Sequence, residues 1–458
     1  MLTLRLIDVA RWTGGHLRGG DVEVTSVSTD TRTLGTGALF VALRGERHDA
    51  HAFAAVAAER GAAALLVERE SEVALPQVVV ADALVALGEI ARCATRERTP
   101  RIVGITGSNG KTTVKTLLAS ILARHGRTHV NAGNFNNEIG LPLTLLAMPH
   151  DSEYAVLEMG AGKPGDIAYL ARIARPDVAL VNNVASAHLE RMGTLQGVAE
   201  TKGAIYRALA ADGIAVINAD DAFADYFSLL AAPRRIVTYG LLRRADVSAV
   251  VEPDAPFDGR FRLLTPAGAS DIALPLPGRH NVMNALAASA LAVALGVPLA
   301  TIRAGLEAAP NVAGRLLRRT HASGAVVIDD SYNANPGSFA AAIATLAGES
   351  GERVLVMGDM AELGADAERL HADVGALAKR SGIERLLAVG RLSRAAVAAF
   401  GDGATHYADQ AALVDALRGG LRGGMALLVK GSRSSAMERV VGALLGDAKD
   451  AEGERHAA

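Results

Sequence analysis

A glycine-rich stretch at residues 104–115, GITGSNGKTTVK, constrains this chain more than any other feature. An apolar, β-branched run precedes the stretch and helical apolar spacing follows it, which predicts a buried strand, a short turn and a helix. In such a turn Gly107 and Gly110 allow successive backbone N–H groups to face one point at the positive end of the helix. Lys111 can then reach the outer phosphates of a nucleotide, and the hydroxyl of Thr112 can bind Mg²⁺.

The stretch is similar to the P-loop pattern G-x-x-x-x-G-K-[ST], with Ile105 in place of the first glycine. A tight strand-to-helix turn with an exposed lysine is the alternative interpretation, but Gly-Lys-Thr in this context favours ATP or GTP binding. The predicted ATP-binding residues of this stretch are Thr106, Gly107, Ser108, Asn109, Gly110, Lys111, Thr112 and Thr113.

The composition fits a well-packed α/β protein with several domains. Of the 458 residues 50% are hydrophobic and 4% aromatic, and a chain of this length is too long for one ordinary core. The formal net charge is -2 and the basic residues are scattered, which argues against a nucleic-acid surface. The single cysteine, Cys93, excludes a disulfide framework and a cysteine-based metal site. The longest apolar run, residues 285–295, is far too short to span a membrane, so we expect a cytoplasmic protein, and we also expect a monomer.

The order of predicted strands and helices indicates an α/β fold with three domains. Residues 1–82 are predicted to form a small N-terminal α/β domain. Residues 83–310 are predicted to form a central P-loop domain with a parallel sheet and, at residues 245–277, a small antiparallel insertion broken by Pro and Gly. Residues 311–458 alternate strands with helices, which predicts a Rossmann-like parallel sheet. No G-x-G-x-x-G follows its first strand, so a dinucleotide site is not expected there.

Polar residues follow strands and begin a helix in the central domain. The predicted strand at residues 154–158 ends in Glu158, and ligands of open parallel sheets gather at the carboxyl ends of the strands. Glu158 would therefore lie beside the P-loop, where an acid binds Mg²⁺; an acid that merely caps a strand end is the alternative. The amide-rich stretch 131–140 suggests polar ligand contacts. Asn281 and Asn284 lie on one helical face and could pair with the edge of a purine, or act as ordinary caps.

Eight motifs resemble those of the Mur ligase family, in the order that the family has them. They are TGSNGKT (106–112), NFNNEIGLPLTLL (134–146), LEMGA (157–161), NNVASAHLE (182–190), GRHNVMNALAA (278–288), DDSYNANP (329–336), GDMAELG (358–364) and LVKGSR (428–433). Four elements among them, NFNNEIG, DDSYNANP, GDMAELG and KGSR, together are most similar to the members that add D-alanyl-D-alanine to UDP-N-acetylmuramoyl-tripeptide.

This resemblance implies an ATP-dependent amide ligase that makes the pentapeptide precursor of peptidoglycan. The tripeptide carboxylate takes the γ-phosphate of ATP, and the amine of D-alanyl-D-alanine attacks the resulting acyl phosphate. The N-terminal domain would bind the UDP-sugar, the C-terminal domain the dipeptide, and closure of the C-terminal domain would assemble the site.

The resemblance also implies roles for residues that attract no notice alone. Lys202 would be carbamylated by CO₂, and two Mg²⁺ ions would offset the repulsion between carboxylate and phosphate. The implied metal ligands are Thr112, Glu158, His188 and Lys202. The implied catalytic residues are Lys111, Glu158, His188, Lys202 and Arg315. Beyond the P-loop, the implied ATP contacts are Asn281, Asn284, Arg315 and Asp330. The implied substrate-binding residues are Ser28, Asp30 and Arg32 for the UDP-sugar, and Asn134, Asn136, Asn137, Tyr332, Asn333, Asn335, Ser432 and Arg433.

Two other functions fit parts of the sequence. One is another amide ligase of the same family, which adds a single amino acid to a UDP-muramoyl peptide or glutamate to folate. The other is a P-loop switch or transport ATPase that couples hydrolysis to a partner protein. The first is expected to lack the SYNANP and KGSR combination, and the second predicts hydrolysis without a small-molecule acceptor.

Overall fold

The computed structural model describes residues 3–45, 48–96, 100–186, 189–252, 259–276 and 278–446. The elements of its N-terminal domain are β1 (Leu4–Arg5), α1 (Leu6–Thr13), β2 (His16–Arg18), β3 (Glu23–Val24), β4 (Ser26–Ser28), β5 (Ala38–Val41), α2 (Ala54–Glu59), β6 (Ala64–Val67) and β7 (Gln77–Val79). Five of these strands form a sheet in the order β2-β7-β6-β5-β4. The strand β2 runs antiparallel to β7, and the other pairs are parallel.

The central domain contains a six-stranded sheet and a three-stranded insertion. Its strands are β8 (Arg101–Thr106), β9 (Thr128–Val130), β10 (Tyr154–Glu158), β11 (Val178–Val181), β12 (Ile214–Asn218), β13 (Arg235–Tyr239), β14 (Ser248–Val250), β15 (Arg260–Thr265) and β16 (Gly268–Ala273). Its helices are α3 (Ala83–Arg96), α4 (Lys111–Leu122), α5 (Gly140–Leu146), α6 (Asp166–Ala174), α7 (Leu189–Met192), α8 (Leu195–Arg207), α9 (Ala224–Ala231), α10 (His280–Ala294) and α11 (Leu299–Glu307). The strands β14 to β16 pair antiparallel, as the sequence predicts for the insertion.

The order of the central sheet determines where a ligand can bind. The six strands are parallel and lie in the order β13-β12-β11-β8-β10-β9. After β8 the chain adds β9 and β10 on one side of that strand, and it then crosses to add β11 on the other side. Such a switch opens a crevice at the carboxyl ends of the strands. The P-loop after β8, Glu158 at the end of β10, and Asn182 after β11 all lie at this edge.

Apolar residues cover both faces of the central sheet. One core joins this sheet to α1 and the sheet of the N-terminal domain, while the other packs α4, α10 and the insertion against the opposite face. The helix α3 connects the two domains because it packs against α1 as well as α5 and α6. It begins after Asp82, whose carboxylate caps the helix by accepting a hydrogen bond from the N–H of Val85 at 2.9 Å. Within the described residues, no helix has the length and apolar character needed to cross a membrane.

The C-terminal domain is a second six-stranded α/β unit. Its elements are β17 (Leu317–Thr320), β18 (Val326–Asp330), α12 (Pro336–Ala347), β19 (Glu352–Met357), α13 (Ala367–Arg380), β20 (Arg385–Val389), α14 (Ser393–Phe400), β21 (Ala404–Tyr407), α15 (Gln410–Gly420), β22 (Met425–Lys430) and α16 (Glu438–Leu445). The sheet order is β17-β18-β22-β19-β20-β21. Five strands are parallel, which confirms the predicted Rossmann-like character. The antiparallel edge strand β17 is not predictable from its residues, LRRT, because they are half charged and lack apolar alternation.

Candidate functional site

The P-loop stretch forms the turn from β8 into α4, as the sequence predicts. Gly107 and Gly110 adopt φ angles of 153° and 79°, which favour glycine. A Cβ atom on Gly110 would lie 2.3 Å from the Oδ1 atom of Asn284 and 2.5 Å from the Nδ2 atom of Asn182, so a larger residue would clash there. The Nζ atom of Lys111 donates a hydrogen bond to the carbonyl oxygen of Gly107 at 2.8 Å. Lys111 therefore lies across the mouth of the turn.

Three charged groups of the predicted site act on one another. Desolvation lowers the pKa of Lys111, the carboxylate of Glu158 opposes this shift, and the guanidinium of Arg315 adds to it. The structure thus brings the predicted Lys111, Glu158 and Arg315 together from two domains.

The hydroxyl of Thr106, at the end of β8, is fully buried, and among the described residues it has no hydrogen-bond partner.

Asn183, which is not among the predicted site residues, holds the P-loop in place. Its Oδ1 atom accepts a hydrogen bond from the N–H of Asn109 at 2.8 Å, and its Nδ2 atom donates to the carbonyl of Asn109 at 3.2 Å. Its own carbonyl accepts from the N–H of Ser108 at 2.9 Å. The position of Asn183 just after β11, next to β8 in the sheet, is the signal that could have identified it.

A chain of buried amides continues from the P-loop to the predicted purine-binding residues. The Nδ2 atom of Asn182 donates to the carbonyl of Asn109 at 2.9 Å and to Oδ1 of Asn284 at 3.2 Å, and Asn284 in turn donates to Oδ1 of Asn281 at 2.9 Å. The hydroxyl of Tyr239 donates to Oδ1 of Asn182 at 2.8 Å. Asn281 and Asn284 therefore lie together beside the P-loop, and some of their hydrogen bonds are made to each other and to Asn182.

Glu158 lies at the end of β10, and its carboxylate faces the P-loop. Its Oε2 atom accepts a hydrogen bond from the hydroxyl of Thr112 at 2.9 Å, and its Oε1 atom accepts from Nδ2 of Asn136 at 2.8 Å. Burial would raise the pKa of Glu158, but the ammonium groups of Lys111 and Lys115, followed by these two hydrogen bonds, outweigh it and hold the pKa below its usual value. The group is therefore an anion beside the Thr112 hydroxyl.

The amide-rich stretch divides into residues that face the site and residues that shape the loop. Asn131 accepts from the N–H of Glu158 at 3.0 Å and donates to the carbonyl of Glu158 at 3.1 Å, so it fixes the backbone of the catalytic candidate. The Oδ1 atom of Asn137 accepts from the N–H of Gly140 at 2.8 Å, at the start of α5. Asn136 contacts Glu158 directly, whereas Asn134 lines neither of the two cavities described next.

Two cavities meet at the P-loop. The larger cavity, of about 620 Å³, extends from the P-loop past Asn136, Glu158 and α6 to Leu84 and Val85 of α3 and to the loop before α12. The smaller cavity, of about 320 Å³, lies on the other side, between the P-loop, the start of α10 and the C-terminal domain. Both are lined by Asn109, Gly110, Thr112, Arg315 and Ser338. The smaller cavity is also lined by the predicted nucleotide contacts Thr113, Asn281, Asn284 and Asp330.

Lys202 is a buried cation on α8, with 1% of its surface exposed. The pKa of Lys202 is lowered from 10.5 to about 7, mainly by burial; the charge of Lys111 contributes to this shift and that of Asp166 opposes it. A substantial fraction of the amine is therefore neutral at pH 7, and a neutral amine is a nucleophile.

This pKa predicts how Lys202 affects stability. Between pH 7 and 10.5 the unfolded chain binds the proton that the folded chain has released, so the free energy of unfolding rises with pH across that window. Lys202→Met removes the buried charge and is expected to raise the free energy of unfolding at pH 6 by about 1–3 kcal/mol. This difference in the free energy of unfolding between Lys202→Met and the wild type should shrink as the pH approaches 10. Urea unfolding at pH 6, 8 and 10 in CO₂-depleted buffer measures it, with the exposed Lys163→Met as the control; equal gains at all three pH values would contradict the assignment.

Asp330 and Lys430 form a buried ion pair in the C-terminal domain. The Nζ atom of Lys430 donates to Oδ2 of Asp330 at 2.6 Å and to the carbonyl of Asn333 at 2.8 Å. The Oδ1 atom of Asp330 accepts from the N–H of Leu316, in the segment that joins the central and C-terminal domains, at 3.2 Å. Lys430, which is not among the predicted site residues, therefore orients Asp330 at the edge of the smaller cavity.

The loop before α12 carries the other predicted C-terminal residues. The ring of Tyr332 contacts two guanidinium groups, with the Cζ atom of Arg315 at 4.2 Å and that of Arg433 at 5.8 Å from its centroid. Tyr332, Asn333 and Asn335 line the larger cavity. Arg433 is exposed and pairs with Glu438 at 3.4 Å.

Ser432 and the three predicted residues of the N-terminal domain line neither cavity, and the same holds for Lys202, Asn134 and Arg433. Ser432 is 2% exposed, and its hydroxyl is 3.1 Å from those of Ser434 and Ser435. In the N-terminal domain, Asp30 accepts from the backbone N–H of Arg32 at 2.8 Å and pairs with its guanidinium at 2.6 Å, while the hydroxyl of Ser28 donates to the carbonyl of Asp30 at 3.0 Å. These three side chains form one polar loop after β4.

Two of the predicted metal ligands lie at the junction of the cavities. Thr112 and Glu158 are adjacent there, and hydroxyl and carboxylate oxygens are ligands that Mg²⁺ prefers. Within the described part of the chain, no group of three or more His, Cys, Asp or Glu side chains is arranged to hold a metal ion. The predicted ligand His188 lies outside the described residues.

Comparisons with known proteins agree with this architecture. Three family models match: the Mur ligase family catalytic domain at residues 23–113, the Mur ligase middle domain at residues 105–292, and the Mur ligase glutamate ligase domain at residues 314–433. The chain is 45% identical to the UDP-N-acetylmuramoyl-tripeptide--D-alanyl-D-alanine ligase of Escherichia coli, over 97% of this chain and 99% of that one.

Two solved structures share the whole fold. A crystal structure of MurF from Acinetobacter baumannii matches with a TM-score of 0.92 and 35% identity, over 97% of this chain and 99% of that one. The structure of the MurF ligase from Thermotoga maritima in complex with ADP matches with a TM-score of 0.82 and 28% identity, over 93% of this chain and 98% of that one.

Proposed function

The chain belongs to the Mur ligase family, and from this premise we propose that it adds D-alanyl-D-alanine to UDP-N-acetylmuramoyl-tripeptide at the expense of ATP. The product is the UDP-N-acetylmuramoyl-pentapeptide precursor of peptidoglycan. The reaction passes through an acyl phosphate on the tripeptide. The enzyme acts as a monomer in the cytoplasm.

The observation that carries the proposal is the meeting of two cavities at one P-loop. A switch ATPase needs a pocket for its nucleotide, whereas a ligase must also hold an acceptor against the γ-phosphate. The larger cavity provides that space, because it is continuous with Lys111 and Thr112 and extends from the central domain to the C-terminal domain. Its volume of about 620 Å³ is in the range that binds sizeable small molecules.

ATP occupies the smaller cavity and the P-loop. Asn281 and Asn284 bind the adenine edge, since they lie beside the P-loop and their amides offer both donors and acceptors. Asp330 accepts from the ribose, with Lys430 holding its carboxylate in place. The backbone N–H groups of the P-loop, at the N-terminus of α4, bind the phosphates. Among the relatives described above, the Thermotoga maritima enzyme was solved with ADP.

Phosphoryl transfer brings a carboxylate anion against the γ-phosphate, so positive charge must gather at the junction of the cavities. Lys111 supplies part of it from the P-loop. Arg315 supplies part of it from the C-terminal side, where it lines both cavities. A nucleotide would draw Lys111 away from the carbonyl of Gly107, to which it is bonded in the described structure. Both cations lie at the place where charge develops.

Thr112 and Glu158 fit a magnesium ion, because a hydroxyl and an ionised carboxylate lie side by side at the cavity junction. His188 and a carbamate on Lys202 would hold a second one. Bound Mg²⁺ neutralises charge on the phosphates and on the approaching carboxylate. The lowered pKa of Lys202, about 7, supports carbamylation, because only the neutral amine reacts with CO₂.

The acceptor peptide occupies the larger cavity, and D-alanyl-D-alanine binds where this cavity reaches the C-terminal domain. Asn136 and Asn137 line the central side, and Tyr332, Asn333 and Asn335 line the C-terminal side. Asn134, Ser432 and Arg433 belong to the same proposal, although they lie outside the cavity lining. Ser28, Asp30 and Arg32 bind the UDP-sugar from the N-terminal domain.

The proposal is tested by measuring phosphate release from Mg-ATP while each substrate is omitted in turn. Release should require both the UDP-tripeptide and D-alanyl-D-alanine, and the product mass should equal that of the UDP-pentapeptide. Release that is indifferent to both substrates would favour the switch ATPase. Release with a single amino acid or with folate and glutamate in place of the dipeptide would favour another amide ligase of the family.

Arg433→Ala is expected to raise the KM for D-alanyl-D-alanine roughly 10- to 150-fold, because a guanidinium that pairs with the free dipeptide carboxylate contributes about 1.5–3 kcal/mol. The KM for ATP should change much less. Steady-state kinetics with each substrate varied measures both constants, and the exposed Arg439→Ala nearby is the control. An equal rise in both constants would remove Arg433 from the dipeptide site.

A further inference from the structure

Asn335 uses both ends of its side-chain amide in contacts within the protein. Its Oδ1 atom accepts a hydrogen bond from the N–H of Ser338 at 2.8 Å, which caps the N-terminus of α12. Its Nδ2 atom donates to Oδ1 of Asn109 at 2.7 Å. The cap requires the oxygen to face the helix, so the NH₂ group must face the P-loop.

The second contact crosses from the C-terminal to the central domain, over 226 positions of sequence. On the C-terminal side, Ser338 completes a reciprocal capping box, which holds Asn335 at the start of a twelve-residue helix. On the central side, the backbone of Asn109 is bonded to Asn182 and Asn183. Each partner is thus anchored in its own domain, and the bond between them is sensitive to the relative position of the domains.

The contact lies where the two cavities meet. Asn109 lines both cavities, Asn335 lines the larger one, and Gly337, two residues further on, lines the smaller one. A hydrogen bond made by an amide at this place depends on whether the C-terminal domain has closed on the P-loop. A main-chain hydrogen bond between the same two domains, from the N–H of Glu190 to the carbonyl of Glu362, is longer than the Asn335–Asn109 bond, at 3.4 Å.

We propose that Asn335 is a positioning residue that couples closure of the C-terminal domain to the P-loop through Asn109. This role rests on the proposed ligase function and differs from contact with the dipeptide, since the amide already has a partner at each end. The bond favours the closed arrangement, in which Arg315 of the C-terminal side and Lys111 of the P-loop face the same phosphate. Nucleotide that binds best to the closed arrangement is therefore held more tightly when the bond is intact.

The test is a double-mutant cycle in the full-length chain. Asn335→Ser keeps a capping hydroxyl but is too short to reach Asn109, and Asn109→Ala removes the acceptor. Each single variant should raise the dissociation constant of Mg-ADP, measured by calorimetry, about 3- to 10-fold, as expected for one hydrogen bond. The double variant should bind Mg-ADP no more weakly than the weaker-binding of the two single variants. If the fold-changes of the two single variants multiply in the double variant, the proposed coupling is overturned.

Ser338→Ala is the matched control for helix capping. It removes the reciprocal half of the capping box but leaves the backbone N–H that Asn335 caps and the Asn335–Asn109 bond. It should lower Tm without abolishing the coupling between Asn109 and Asn335, as measured by repeating the cycle in this background. Loss of the coupling in the Ser338→Ala background would mean that the stability of α12 alone explains the change in Mg-ADP affinity.

Kinetics separate this role from dipeptide binding. If Asn335 positions the P-loop, Asn335→Ser and Asn109→Ala lower kcat together and leave the KM for D-alanyl-D-alanine within about 2-fold of the wild-type value. If Asn335 binds the dipeptide, Asn335→Ser alone raises that KM and the positioning role is overturned. The calorimetric cycle needs no acceptor, so it tests the contact even if the chain fails to ligate the dipeptide.

Discussion

Lys202→Ala is expected to lower kcat by roughly 10²- to 10³-fold, the loss typical of removing one electrostatic contact from a charged transition state. The physical reason is the position of this group, which is buried on α8 and electrostatically coupled to Lys111. In the proposed carbamate form Lys202 would supply an anionic oxygen ligand, whereas alanine supplies none. Formate or acetate at high concentration should restore part of the activity by replacing the missing carboxylate.

Two companion variants separate the carbamate from the amine. Lys202→Arg keeps a cation that does not react with CO₂, so it should be as inactive as Lys202→Ala. Lys202→Glu carries its own carboxylate and should retain more activity than either. Carbon-13 NMR with labelled bicarbonate provides a readout that is independent of turnover, because the wild-type carbamate resonance should vanish in all three variants. Full activity in Lys202→Arg would contradict the carbamate assignment.

Glu158→Gln should lower kcat by a similar factor, roughly 10²- to 10³-fold, while the fold is retained. The amide has the same shape as the carboxylate, and Lys115 keeps its hydrogen bonds to the carbonyls of Asn131 and Gly133, at 2.9 and 3.4 Å. The negative charge beside Thr112 is lost, however, so the affinity for Mg²⁺ should fall. Titration of nucleotide binding with Mg²⁺ measures this effect directly.

The matched control for this variant is Glu368→Gln, which neutralises an exposed carboxylate of the C-terminal domain. It should leave both kcat and the Mg²⁺ titration close to wild type. If Glu158→Gln lost activity with an unchanged Mg²⁺ requirement, Glu158 would act on the substrate carboxylate or on Lys111, and the metal-ligand assignment would be wrong.

The sequence predicted those parts of the site that depend on local order along the chain. A strand, a glycine turn and a helix follow one another at residues 101–122, so the P-loop could be recognised from adjacent residues. Glu158 could be placed because parallel strands end at a common edge of the sheet. The amide pair Asn281 and Asn284 could be placed because both lie on one helix.

The contacts that the sequence did not predict join residues far apart in the chain. Lys430 meets Asp330 across 100 positions, and Asn284 meets Asn182 across 102. A polar side chain in a motif can bind a ligand or another part of the protein, and its sequence neighbours do not distinguish the two. Asn131 and Asn137 illustrate this, because they shape the loop that carries Asn136. Asn335 does so as well, because its amide caps a helix and reaches the P-loop.

The most direct test of the central claim follows an oxygen atom. The terminal carboxylate of the UDP-tripeptide is labelled with ¹⁸O, and the inorganic phosphate released during ligation with D-alanyl-D-alanine is analysed by mass spectrometry. If this carboxylate attacks the γ-phosphate of ATP and the dipeptide amine then displaces phosphate, one labelled oxygen enters phosphate for every UDP-pentapeptide formed. Unlabelled phosphate, released with or without pentapeptide, would contradict the acyl-phosphate ligase.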